Sequence, residues 1–144
     1  METCSLCSPD LAPKIANSEY WMLILNVNQR FLGACFWVLN RHLEAVTGLT
    51  SAEWADLHPQ IIRSTQALVQ HFKPDHFNYV FLQNQDRHVH MHIYPRYAQP
   101  RQFAGVTFED SDYPSHYTVP APSRHLRAEQ YDLIATALRN TLAG

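Results

Sequence analysis

Only 4 of the 144 residues are glycine, which excludes collagen-like and glycine-rich disordered chains. No apolar run approaches the roughly 20 residues needed to cross a bilayer, and Met1-Glu2-Thr3-Cys4 lacks the basic flank and apolar core of a secretory signal. A cytoplasmic location with no membrane partner is therefore expected. An excess of charge of one sign is also missing: 11 basic against 13 acidic residues give a formal net charge of -2. That balance provides no global pull toward long nucleic acid or an anionic surface, so any phosphate recognition must be local. Three cysteines cannot all pair within one chain, and disulfides are rare in a reducing compartment. Cys4-x-x-Cys7 accordingly reads as metal or redox chemistry, and Cys35, inside an apolar run, as a buried thiol.

What is present describes an ordinary globular chain, 46% hydrophobic and 17% charged. One domain over 1–144 is expected, with an N-terminal Cys-x-x-Cys segment at 1–19 and a proline-rich loop region at 98–125. Residues 20–27 and 31–39 are largely β-branched, aromatic or aliphatic and are separated by Asn28-Gln29-Arg30, the pattern of a β-hairpin. Thr50-x-x-Glu53 has the form of a capping box, and Trp54, Leu57, Ile61, Thr65, Leu68 and Phe72 follow at helical spacing, so a long helix is expected over 51–72. Pro59 lies within it, as a kink or as the first turn of a restarted helix. A strand over 77–82 and a turn over 83–87 lead to the histidine run. Pro95, Pro100, Pro114, Pro120 and Pro122 then argue for loop, with room to fold over a site. Leu126, Tyr131, Ile134, Ala135, Leu138 and Leu142 share one face of a C-terminal helix.

The chemistry concentrates in His88-Val89-His90-Met91-His92. On an extended strand the three imidazoles would share one surface, with Val89, Met91 and Ile93 on the other. Such a row can be a solvated or packed histidine face, a catalytic metal site of the His-x-His kind, or a nucleophilic imidazole with neighbours that hold a phosphate and the tautomer. The surrounding residues favour the nucleophile.

The run through Ile93-Tyr94 resembles the histidine triad (HIT) pattern of His-apolar-His-apolar-His-apolar-apolar, and Pro95-Arg96-Tyr97 is similar to bacterial, diadenosine polyphosphate hydrolase-like members. Asn26 seven residues before Gly33, Arg41-His42 after the second strand, Asn78-Tyr79 and Leu82-x-Asn84 extend the resemblance over most of the chain. It departs at Gly33-Ala34, where many members carry Gly-His, and at Gln85-Asp86-Arg87.

The resemblance implies an α+β fold, an antiparallel sheet of about five strands bearing a long helix and a C-terminal helix, commonly as a homodimer. It implies a nucleotide substrate cleaved at the α-phosphate through a nucleotidyl-histidine intermediate, as in hydrolysis of a dinucleoside polyphosphate or another nucleoside-monophosphate conjugate. By position His90 matches the nucleophile and His92 the phosphate-binding histidine. Asn84, with a protonated His92, suits the charge that develops on the transferring phosphoryl group. Asn26 is either a ribose or phosphate ligand or a turn former, and Arg87 either grips a distal phosphate or pairs with Asp86. Arg96, on the histidine parity, is a phosphate ligand or a surface residue. The resemblance further implies a structural zinc on Cys4, Cys7, His42 and His88, with no organic cofactor; a redox pair at Cys4-x-x-Cys7 stays open. Transfer to phosphate or a sugar phosphate, non-catalytic nucleotide binding, and metal-dependent hydrolysis are the competing functions. His58, His71, His76, His116 and His125 are expected in surface or capping roles.

Overall fold

The computed structural model describes residues 4–7, 13–120 and 122–143. Strands β1 (Lys14–Asn17), β2 (Trp21–Leu25), β3 (Cys35–Leu39), β4 (His76–Val80) and β5 (His90–Arg96) form one antiparallel sheet in the order β1-β2-β3-β5-β4. Helix α1 (Ser51–Phe72) connects β3 to β4, a small hairpin of β6 (Arg101–Phe103) and β7 (Val106–Phe108) follows β5, and helix α2 (Ala128–Leu142) closes the chain. This is the expected α+β arrangement.

Alternation in the central strands sorts the sheet into two faces. Trp21, Leu23, Leu25, Cys35, Trp37, Leu39, Met91 and Ile93 form a core with Leu57, Leu68 and Phe72 of α1 and Ile134 and Leu138 of α2. Burying each of the larger aliphatic or aromatic side chains stabilises the fold by about 1.5–3 kcal/mol. The opposite face carries Ile24, Phe36, Val38, His90 and His92, because Phe36 pairs with His92 and Val38 with His90 in register. The histidines thus stand on the side away from the helices.

Helix α1 starts where the sequence places it. The Thr50 hydroxyl accepts from Glu53 N and the Glu53 carboxylate from Thr50 N, closing the capping box. Glu53 is also gripped by Arg41 at 2.7 and 2.9 Å. The helix runs through Pro59 without restarting, and Ala55, whose carbonyl loses its donor there, is exposed to water.

Four expectations need correction. The sheet gains β1 from within the N-terminal segment, where four residues flanked by loop carry too little pattern to be read. The β2–β3 connection spans 26–34 rather than three residues. There the buried Gln29 side chain donates to the carbonyls of Asn26 and Ala34 and accepts from Gly33 N, replacing ladder bonds with side-chain ones. β4 occupies His76–Val80, two residues short of the expected end. The proline-rich region contains the β6–β7 hairpin, turned by Ala104 and Gly105 at φ of 54° and 75°.

Candidate active site and metal centre

Strand β5 begins at His90, so His88 precedes it in a bend. The three histidines therefore do not form one row. His90 and His92 stand together on the outer face with ring centroids 4.8 Å apart, and His92 stacks on Tyr94 at 5.2 Å and 9°. Phe36 from β3 packs beside both rings at 5.7 and 5.6 Å. Tyr94 was not singled out from sequence, although its parity with His90 and His92 was the available signal.

His90 Nδ1 donates to the His88 carbonyl at 2.6 Å. A carbonyl only accepts, so Nδ1 carries the proton and Nε2 of the neutral ring holds the free lone pair. This bond supplies the acceptor that the sequence could not name. His92 Nδ1 is buried with no hydrogen-bond partner among the described residues. An orphaned nitrogen next to a tautomer-fixed imidazole is a natural contact for an oxygen ligand. Burial, and secondarily the neighbouring His90, pulls the His92 pKa down to about 4. The ring is thus neutral near pH 7.

The other expected ligands have mixed settings. Asn84 and Arg87 are exposed on the 83–87 turn, and Arg87 forms no ion pair among the described residues. Its proposed partner Asp86 instead accepts from Ser5 Oγ at 2.6 Å. Asn26 Oδ1 accepts from Asn28 N at 3.0 Å, a turn-forming bond. Arg96 is neither a surface residue nor a free phosphate ligand. It is 2% exposed, bound by Asp110 at 2.6 and 3.1 Å, and donates to Asn78 Oδ1 and the Ser115 carbonyl. Asp110 lies 14 residues away, a pairing no local pattern reveals.

The Cys-x-x-Cys reading and the upstream histidine meet at His88. One ligand atom each from Cys4, Cys7, His42 and His88 lies within 4.8 Å of the others. His88 Nδ1 is 3.3 Å from Cys4 Sγ, 3.4 Å from Cys7 Sγ and 3.3 Å from His42 Nδ1. Tetrahedral zinc with ordinary bond lengths has N···N edges of about 3.3 Å and S···N edges of about 3.5 Å, so the donor set fits such an ion. Furthermore, His88 Nε2 donates to the Leu39 carbonyl at 2.7 Å, which leaves Nδ1 a bare lone pair aimed into the cluster. Burial pushes the His88 pKa down, keeping that lone pair unprotonated. Two thiols and two imidazoles would fill the four positions of such an ion.

No protein-family model matches the chain, and no curated protein matches it in sequence. Solved structures match closely in shape. A histidine triad protein from Marinobacter aquaeolei VT8 superposes with a TM-score of 0.74 at 17% identity, covering 91% of this chain and 88% of the other. A histidine triad protein from Bradyrhizobium japonicum gives 0.73 at 18%, covering 90% of each chain. A zinc-bound histidine triad family protein from Mycobacterium smegmatis gives 0.66 at 18%, covering 98% and 94%. The chain has the histidine triad fold.

On this histidine triad fold the segment after β7 folds over the outer face of the sheet. Arg96 anchors it through Asp110 and Ser115, while Arg30 from the β2–β3 connection binds Asp112 at 3.0 Å and the Thr118 carbonyl. Tyr117 is thereby set against Tyr94 at 5.0 Å and Phe31 at 6.1 Å. Among the described residues no helix is long and apolar enough to cross a membrane.

Proposed function

We propose that the protein is a nucleotidyl hydrolase that cleaves a dinucleoside polyphosphate or another nucleoside-monophosphate conjugate at its α-phosphorus. The observation that carries this reading is the His90 Nδ1 bond to the His88 carbonyl, which leaves Nε2 as the nucleophile beside the unpartnered His92. Nε2 attacks phosphorus, a P–N bond to His90 forms, and the bond from phosphorus to the leaving-group oxygen, or to nitrogen in a phosphoramidate, breaks with its electron pair going to the leaving group. Water then cleaves the P–N bond, releasing the nucleoside monophosphate and free His90. His92, neutral until the site is filled, meets the anionic non-bridging oxygens. Their charge favours its protonated, donating form in the complex. Asn84 and Arg87 are exposed on the adjacent turn, with side chains available to phosphate, and the Asn26 side-chain nitrogen, its oxygen being held by Asn28 N, is the donor left for ribose or phosphate.

Cys4, Cys7, His42 and His88 would hold zinc, whose contribution when bound is to fix the N-terminal segment against the sheet. The same reading has the chain acting as a homodimer.

The test is rapid-quench trapping of a radiolabelled nucleotide on the protein. Label on a histidine, absent from His90→Ala together with a fall in rate of at least about 10³-fold, is the expected result. A His90→Ala protein with full rate would sink the proposal.

A further inference from the structure

A cleft of about 470 Å³ opens between β4 and the segment at 113–117, within the size range of small-molecule sites. None of the roles assigned above uses it. Its floor is Arg96, whose charge is already balanced by Asp110. One wall is the ring pair of His116 and Tyr117, 4.4 Å apart, and the other is formed by His76, Asn78 and Val80. No carboxylate lines it among the described residues, so an anionic ligand meets no repulsion there.

The lining offers a donor and an acceptor in fixed senses. Asn78 Oδ1 is occupied by Arg96, which leaves its amide nitrogen as a donor with only a 3.4 Å contact to the Phe77 carbonyl. His116 Nδ1 donates to the Tyr117 carbonyl at 2.6 Å, so Nε2 of the neutral ring is an acceptor. Aromatic walls with one donor and one acceptor suit a flat heteroaromatic ring that has hydrogen-bonding edges.

The cleft also adjoins the strand of the candidate nucleophile. Val80 pairs with His92 and Asn78 with Tyr94, which places the β4 wall of the cleft on the strand next to the one that carries the histidines. Tyr94 links the two by packing on His92 and on Tyr117.

Resting on the nucleotidyl-transfer reading, we propose that this cleft is the binding site for the leaving group, and that it selects substrates whose leaving group carries a nucleobase or a similar planar ring. The ring packs against the His116–Tyr117 wall, and Asn78 reads its edge. Selectivity between leaving groups therefore resides in a segment far along the chain from the histidine run.

The experiment compares two substrates that share AMP: diadenosine triphosphate, and adenosine 5′-phosphoramidate, whose leaving group has no ring. His116→Ala removes an exposed side chain and should leave the fold intact, while Tyr117→Ala removes the deeper wall. Each variant should lower kcat/KM for diadenosine triphosphate by about tenfold and leave the phosphoramidate within about twofold. Equal effects on both substrates, or none on either, would overturn the cleft assignment. A binding arm separates the two proposals: adenosine is titrated into AMP-saturated protein while amide NMR signals of 76–80 and 113–117 are followed. Shifts at those residues with AMP retained support the cleft, and adenosine that only displaces AMP, or does not bind, refutes it. Failure of AMP to bind at His90 and His92 instead counts against the hydrolase reading itself, with the adenosine shifts still readable.

Discussion

At the scale of single residues, His92 couples the candidate site to stability. Its pKa falls from the ordinary 6.5 to about 4, chiefly through burial. Between those values the unfolded chain binds a proton that the folded chain refuses, so stability is lost as pH falls through that window and is constant above it. The loss is at most about 3 kcal/mol. Glu53 acts in a lower window. The Arg41 hydrogen bonds hold its carboxyl at about 2 against an ordinary 4.5, so its contribution disappears as pH falls from about 4.5 to about 2. Thermal unfolding scanned from pH 7.5 to 3.5 should show a falling Tm already above pH 5, and His92→Asn should make that upper part shallower, with His88, whose pKa burial also lowers, supplying the remaining slope. A variant that follows the wild-type slope throughout would show that another group is responsible. Bound AMP should reverse the trend by stabilising the protonated ring.

At the scale of elements, the cysteine segment and the nucleophile are joined through one residue. The His88 side chain joins the cluster of Cys4, Cys7 and His42 while its carbonyl accepts from His90. Ser5, between the two cysteines, binds Asp86 on the turn that carries Asn84 and Arg87. Wild-type protein should contain one zinc per chain, and Cys7→Ser should lose it with a fall in Tm of roughly 10 °C, equivalent to about 3 kcal/mol. The coupling itself is read from ¹⁵N shifts of His90: Nδ1 protonated in the loaded protein, a mixture of tautomers after metal removal. An unchanged His90 spectrum in the stripped protein would show that the cluster supports the fold without reaching the nucleophile. A second element-scale contact, Arg96 with Asp110, is nearly dry, with side chains 3% and 1% exposed. Asp110→Asn leaves a buried guanidinium without its counter-charge and should cost about 3–5 kcal/mol in chemical denaturation. It should also release the 113–117 segment.

At the scale of the whole molecule, what was legible from sequence follows range. The capping box, the 51–72 helix and the C-terminal helix depend on residues three or four apart and appear where expected, whereas the histidine strand starts only at His90 and leaves His88 outside it. The metal quartet was legible because the resemblance supplied a spacing for Cys4, Cys7, His42 and His88. Hidden features rest on contacts between distant parts of the chain: Arg96 with Asp110, Arg30 with Asp112, and Tyr117 with Tyr94. The long β2–β3 connection was missed because the bonds of Gln29 imitate a strand ladder that no propensity encodes.

The homodimer is the remaining whole-molecule expectation, and the surface to carry it is specific. β4 is an edge strand, and an exposed edge beside apolar surface is a natural place for a second copy to add. Tyr79 of β4 is 48% exposed, and the flank of α1 presents Trp54 at 43%, Ile62 at 44% and Val69 at 48%. Phe81 ties the two elements together by packing on Trp54 at 6.0 Å. Pairing two β4 edges antiparallel about a two-fold axis would extend the sheet across both protomers and bury both helix flanks in one interface. Sedimentation should give a dimer for the wild type. Trp54→Glu with Tyr79→Lys should give a folded monomer, because both side chains are half exposed in the single chain and their replacement leaves its core untouched. A wild-type monomer at micromolar concentration, or a double variant that remains dimeric, would exclude this interface.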